Sequence, residues 1–384
     1  MRHLLGSMVA ATLAAFPVCS QSFLIVDANN ATGTIFPEIQ SAVDAANPGD
    51  IILVRTGTYF FFEIDKSITL VADGAVTLSS ITGNTLFRIR DTMDGDEVVI
   101  RGFAAFLFGG DGFEMVNNRG RILLDQFDSI GLSGDNLITD CDQVVLNQST
   151  LAGANIVTRS TISASGCEFL GEPNPNTPSS GLTLTDSTAY IADSTMLGGG
   201  TTPFFPVQPG AGLEMSNSTA TVAGDATHSI AAGNGFAQTQ SAIIGDGTLV
   251  LDPDVPLIPV GAVPAITGTF AQTNPELSRL TAVGGALGGT SQVDLYAEPG
   301  DAFFLLVGQP GNAVPIAFLG GEIWLDLTAT AVLNAGTVGA TGQETFQFPV
   351  PNLMAALGVQ VSWVAITGGS SLQLTNNARY THGL

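Results

Sequence analysis

The chain has 384 residues, with 11 Lys and Arg against 34 Asp and Glu, for a formal charge of −23. Such a surface repels phosphate backbones and anionic headgroups, which argues against nucleic acid or acidic lipid as a partner. Charged residues are only 12% and hydrophobic residues 45%, the opposite of a disordered chain; no long segment carries a helical period, so a helical bundle is excluded.

The N-terminus reads as an export signal. Arg2 and His3 form a short basic region, and Leu4 to Val18 is apolar and rich in small residues. Val18 and Ser20 stand at the −3 and −1 positions of a cleavage site after Ser20, which makes residues 1–20 a signal peptide. A lipoprotein reading would anchor the chain at Cys19. The apolar run is too short for a membrane span, and Gly and Pro interrupt every later candidate. The expectation is a secreted or cell-surface protein with no transmembrane segment.

Ile35 to Ala46 has an amphipathic helical pattern, with Ile35, Ile39, Val43 and Ala46 on one face, and Asn47-Pro48-Gly49-Asp50 stops it. A repeat follows. Segments starting at Gly112, Asn136, Asn155, Gly181 and Gly212 align, with looser copies at Phe61 and Leu86. Second positions are Phe62, Phe87, Phe113, Leu137, Ile156, Leu182 and Leu213. Fourth positions are Ile64, Ile89, Met115, Thr139, Thr158, Leu184 and Met215. A strand has a period of two, so these columns share one face and form a continuous apolar core when units stack. Sixth positions, Lys66, Asp91, Asn117, Cys141, Ser160, Asp186 and Asn217, suit a polar bend. Short strands repeating every ~20–30 residues predict a parallel β-solenoid over 21–250, with 173–180 and 201–211 as loops on one side.

The helix region and the repeats together resemble a known family. The run from Phe36 to Tyr59, FPEIQSAVDAANPGDIILVRTGTY, looks like the opening of right-handed parallel β-helix proteins of the pectate-lyase-like superfamily. The resemblance spans roughly residues 30–250. It implies an all-β right-handed β-helix with an N-terminal capping helix, and it specifies fold rather than chemistry. Its members include polysaccharide lyases and hydrolases, adhesins, and exported proteins without known activity.

Four prolines between Asp252 and Pro264 mark 251–276 as a Pro-rich linker or the end of the solenoid. Beyond it, strand-like runs at 292–297, 303–307, 322–327, 345–348, 359–366 and 372–374 predict a small antiparallel β-sandwich over 277–384. Glu298-Pro-Gly and Gln309-Pro-Gly-Asn are read as turns. This part looks like C-terminal modules of exported bacterial proteins. Trp324 and Trp363 are either core residues or sugar-stacking platforms.

In enzymes of the superfamily the active site lies along one outer sheet face. Third and fifth positions of the repeat point outward and bring Glu63–Arg88–Glu114, Asp65–Arg90 and Asp140–Arg159 side by side. One reading is a set of register-fixing ion pairs. The other is a lyase or glycoside hydrolase site with Arg88, Glu114, Asp140 and Arg159 as catalytic candidates. That face has no Lys or His apart from Lys66 at its edge, and no cofactor is expected, although Ca²⁺ is possible. Asp94 and Asp96 are weak Ca²⁺ candidates in an acidic turn without the spacing of a calcium loop.

His228 and His382 lie far apart in sequence and are read as standing beside no second metal ligand, so no His-based metal site is expected, and Cys141 and Cys167 are expected as free thiols. The leading reading is a structural or carbohydrate-binding scaffold, with a polysaccharide or cell-surface component as partner. The alternative is a polysaccharide lyase or glycoside hydrolase.

Overall fold

A computed structural model describes residues 22–29, 35–81, 85–108, 112–131, 134–174, 176–201, 207–235, 238–316, 319, 321–369 and 371–384. Residues 1–20, read as a signal peptide, lie outside these. The strands from Phe23 to Thr273 form one 21-stranded sheet whose ladders are parallel, and each strand pairs with its counterpart one repeat later. The fold is a β-helix. It runs past residue 250: Leu257–Ile258 pairs with Ile230–Ala231, and Ile266–Thr273 pairs with Ile243–Leu251. The Pro-rich segment is therefore the last turn of the coil. Its prolines sit where each strand has a neighbour on one side only.

The apolar column forms as the pattern predicts over most of its length. Phe62, Phe87 and Phe113 stack with ring centroids 5.5 and 5.3 Å apart, and Leu182 pairs with Leu213 and Leu213 with Ile243. Two turns depart from it. Leu137 and Ile156 are only half-buried and face outward, whereas Asn136, Ile138, Asn155 and Val157 are buried. The expected register is wrong there by one residue, which turns every side chain to the other face. Tertiary hydrogen bonds make this possible. Asn136 Nδ2 donates to Asn155 Oδ1 (2.9 Å) and Ala152 O (3.1 Å), and Asn155 Nδ2 donates to Leu151 O (3.1 Å) and Gly181 O (2.8 Å). Asn155 is partnered at both ends of its amide and Asn136 through its Nδ2, which offsets much of the usual penalty for polar burial, while Asn136 Oδ1 has no partner among the described residues. Ile138→Ala is thus expected to cost about 2–5 kcal/mol and Leu137→Ala well under half of that, measured as urea unfolding midpoints. The opposite ranking would restore the original register.

The corners of the coil explain the polar columns. All nine non-glycine residues with positive φ among the described residues fall at two corners: Asp91, Asn117, Asp140, Arg159, Asp186 and Asn217 at one, and Gln126, Gln148 and Asp193 at the other. Asp and Asn tolerate this left-handed conformation best, which accounts for most of the first set. Asp140 and Arg159 are therefore corner residues rather than members of the outward strand column with Arg90. One position later the chain turns inward onto a buried polar ladder. Cys141 N donates to Ser160 Oγ (2.9 Å), Ser160 N to Ser187 Oγ (3.2 Å) and Ser187 N to Ser218 Oγ (3.1 Å). Cys167 N donates likewise to Ser194 Oγ at the second corner (3.0 Å). Both cysteines are buried and free, and burial pushes both thiols up, Cys167 to about 12.

The helix Ile39–Ala45 is shorter than the pattern suggests. Ile39, Ala42 and Val43 join the core, but Ile35 is 70% exposed and lies before the helix. Pro37 fits the turn that leads in.

The C-terminal part carries a three-stranded antiparallel sheet (Arg279–Val283, Thr290–Tyr296, Gln343–Pro349) and a five-stranded one built on Ala302–Gly308 and Gln360–Gly368. They share a core of Leu280, Val293, Leu295, Leu305, Trp363 and Tyr380. Pro310–Ile316, read as starting in a turn, is a strand paired with Gly321–Leu325. This part lies along the flank of the β-helix. Leu357 packs on Ile51 and Val71, and Trp324 packs on Val99, Leu123 and Val145. Both tryptophans are buried, so neither offers a sugar-stacking platform.

Candidate functional site

Three places concentrate polar chemistry. The first is the open outer face of the β-helix. Arg88 is held between Glu114 (Nε–Oε2 2.5 Å) and Glu63 (Nη1–Oε2 3.4 Å), and Arg90 also reaches Glu63 (2.7 Å). At the neighbouring corner Arg159 grips Asp140 through two hydrogen bonds, Nε–Oδ1 2.6 Å and Nη2–Oδ2 2.7 Å. The structure thus brings Arg88 to Glu114 and Asp140 to Arg159, as two separate groups rather than one constellation. Hydrogen bonding to Glu114 raises the Arg88 pKa, and the bond from Arg159 lowers that of Asp140. Arg88 and Arg159 therefore hold their protons too tightly to act as bases, and Asp140, with both oxygens engaged by Arg159, is a weakened base with no proton to give as an acid.

The acidic turn at 91–96 is closed by its own backbone. Asp96 accepts from Met93 N (2.8 Å) and Ser67 Oγ (2.8 Å), which occupies both of its oxygens. Asn147-Gln148-Ser149 has the form of a glycosylation sequon, but Asn147 is fully buried and donates to Asp125 Oδ1 (2.9 Å), so it is closed to glycosylation in the folded chain.

The second place is the seam under the C-terminal sheets. Asp125, buried in the outward column of the β-helix, accepts from Arg101 Nη1, Asn147 Nδ2 and Thr381 N (2.9 Å), while Arg101 Nη2 donates to Gly284 O (3.2 Å). His382 is buried next to it. Burial, aided by the Arg101 charge, lowers its pKa below the ordinary value of 6.5. The unfolded chain therefore binds this proton more readily than the folded one. Stability from this group is complete above about pH 6.5 and is lost as pH falls below it. His382→Gln is expected to flatten that part of the profile: between pH 7 and pH 5 the wild type should lose more stability than the variant in matched urea titrations. Parallel losses would remove the role of His382.

The third place was not legible in the sequence. Asp193, at the second corner, meets Asp225 and His228 from the next turn: His228 Nδ1 lies 3.1 Å from Asp225 Oδ1 and 3.5 Å from Asp193 Oδ1. The expectation that His228 has no second ligand is overturned. Arg279, from the C-terminal part, hydrogen-bonds Asp193 Oδ1 through Nε and Asp225 Oδ2 through Nη2 (3.1 Å), and its guanidinium lies 4.3 Å above the Tyr296 ring. Burial raises the Asp193 pKa against the pull of Arg279. Burial also works against Asp225, but hydrogen bonds from Thr227 hold it below the ordinary range. The spacing Asp225-x-x-His228 was a signal, but nothing local ties it to Asp193, a turn of the coil away.

Beside this cluster a cleft of about 180 Å³ opens between the two parts of the chain, lined by Asp252, Asp254, Glu276, Arg279, Tyr296 and Glu298. The neighbouring Glu298 carboxylate raises the Glu276 pKa.

No protein-family model and no curated protein matches the sequence. Among solved structures, the chain is similar to the enzymatically active domain of tailspike protein 2 of bacteriophage CBA120 at 12% identity and a TM-score of 0.36, covering 95% of this chain and 77% of that one. It is similar to full-length tailspike protein 2 of an Escherichia coli O157:H7 bacteriophage at 11% identity and TM-score 0.30, covering 95% and 69%. It is similar to a cell-surface-expressed chitinase of Paenibacillus sp. str. FPU-7 at 8% identity and TM-score 0.17, covering 87% and 24%. The β-helix is read from the strand register, and at such scores these likenesses add no argument to it.

Proposed function

We propose that the chain is an exported extracellular or cell-surface β-helix protein that acts as a structural or carbohydrate-binding scaffold. In this reading residues 1–20 are a signal peptide, 21–250 with the Pro-rich last turn form a pectate-lyase-like β-helix capped by the helix Ile39–Ala45, and 277–384 are a β-sandwich. The observation that carries it is the outer face. Arg88 is shared by Glu63 and Glu114, and Arg159 is held by both oxygens of Asp140, so the charges there neutralise one another. Ion pairs of this kind fix the register of neighbouring turns without offering a reactive group. The polar, partly apolar strip beside them (Leu137, Ile156, Thr183) suits a neutral glycan better than an anionic one, and the charge of −23 points the same way.

The test is a screen of plant, algal and bacterial polysaccharides with the mature chain, with and without Ca²⁺, reading binding, unsaturated uronate absorbance and new reducing ends. Binding without either chemical signal is expected. Asp140→Asn and Arg159→Ala should leave stability and binding nearly unchanged, because an exposed pair contributes little and asparagine keeps the left-handed corner at position 140. A product signal lost in either variant would sink the scaffold reading and promote a lyase or hydrolase, since residues that act together in catalysis fail together.

A further inference from the structure

We propose that Asp193, Asp225 and His228 form a binding site for a zinc-class divalent cation at the seam between the β-helix and the C-terminal sheets. One donor atom from each residue lies within 4.8 Å of the others. His228 Nδ1 shares a hydrogen bond with Asp225 Oδ1 at 3.1 Å and lies 3.5 Å from Asp193 Oδ1, within a few tenths of an ångström of the spacing between neighbouring ligands around one metal. Bonds of about 2.0–2.2 Å in tetrahedral geometry place ligand atoms roughly 3.3–3.6 Å apart.

A second observation points to a cation ligand set. The Asp193 side chain is only 7% exposed, yet its Oδ2 has no hydrogen-bond partner among the described residues. A buried carboxylate oxygen left unpartnered is costly and calls for an explanation such as a bound ion. Arg279 does not remove the need. Its single charge faces two carboxylates, so the cluster keeps one net negative charge while His228 is neutral. Its Nη2 takes Asp225 Oδ2 and leaves Oδ1 on the side of His228.

The remaining contacts orient the ligands. Thr227 N and Oγ1 both donate to Asp225 Oδ1 (2.8 and 2.5 Å), and Asp193 N donates to Ala223 O (3.0 Å), which fixes the two turns against each other. Such outer contacts are what hold metal ligands in place. The imidazole decides the class of ion: a nitrogen donor beside two carboxylates favours zinc and its first-row neighbours over Ca²⁺ and Mg²⁺, which prefer all-oxygen sites.

The experiment titrates the metal-stripped mature chain with Zn²⁺ in an excess of Mg²⁺ and Ca²⁺, which saturates acidic surface sites, and follows binding by calorimetry and thermal stability by circular dichroism. The wild type should bind one more Zn²⁺ than His228→Ala, and Zn²⁺ should raise the thermal midpoint of the wild type only. His228 is partly exposed, so its loss leaves the fold intact; should it not, Asp225→Asn gives the same comparison. At least a tenfold weaker affinity is expected in either variant. Equal stoichiometry and affinity in wild type and variants would overturn the proposal, and so would a wild type that binds no Zn²⁺.

Discussion

Phe87→Ala is expected to cost the chain about 3–5 kcal/mol, the largest effect of any single apolar truncation in the β-helix. Phe87 is fully buried and stacks between Phe62 and Phe113 at interplanar angles of 11° and 14°. Phe127 meets it edge-on at 5.6 Å as a third ring neighbour. The flanking turns are tied together by parallel ladders and cannot collapse into the space a missing ring leaves, so the cavity persists and adds to the lost transfer energy. Phe61→Ala is the control. Phe61 is 42% exposed and precedes the stacked column by one residue. Its loss should change stability by less than about 0.5 kcal/mol. Urea unfolding of both variants decides the matter, and similar costs for the two would mean that the phenylalanine column is not the core of these turns.

Arg279→Met is expected to be destabilising by about 3–5 kcal/mol, because it strips the buried Asp193 carboxylate of its cation. Arg279 and Asp193 are 9% and 7% exposed, and the guanidinium bridges one turn of the β-helix to the next through Asp193 and Asp225. The variant keeps a long side chain over Tyr296, so packing changes less than charge. Adding Asp193→Asn should recover most of the loss. Asparagine tolerates the left-handed backbone at this corner, where φ is 43°, and it removes the stranded charge. A double variant no more stable than Arg279→Met would show that the loss came from packing rather than from the unpaired carboxylate.

The apolar period of the sequence determined that the chain is a stacked parallel β structure. Phe62, Phe87, Phe113, Leu182 and Leu213 recur at strand spacing, and only stacking buries such a column. The sequence also placed Arg88 beside Glu114 and Asp140 beside Arg159, since residues at equivalent repeat positions must become neighbours. It misread two turns. Leu137 and Ile156 look like core beside polar Asn136 and Asn155, and only the hydrogen bonds between stacked turns make the asparagines the inward residues.

The runs Ile122-Leu123-Leu124 and Val144-Val145-Leu146 held a further signal: a strand apolar on both faces is buried on both. What covers the second face was decided only in three dimensions, by Trp324 seated on Val99, Leu123 and Val145. The same holds for the cluster at the seam. Asp193, Asp225, His228 and Arg279 are spread over 86 residues, and no local pattern relates them. The corner places Asp193 over Asp225, and the docking of the C-terminal sheets brings Arg279 to both. A repeat fixes neighbours one turn apart, because their spacing is written in the period. Contacts between surfaces remote in sequence follow from shape and charge complementarity, which a linear pattern does not record.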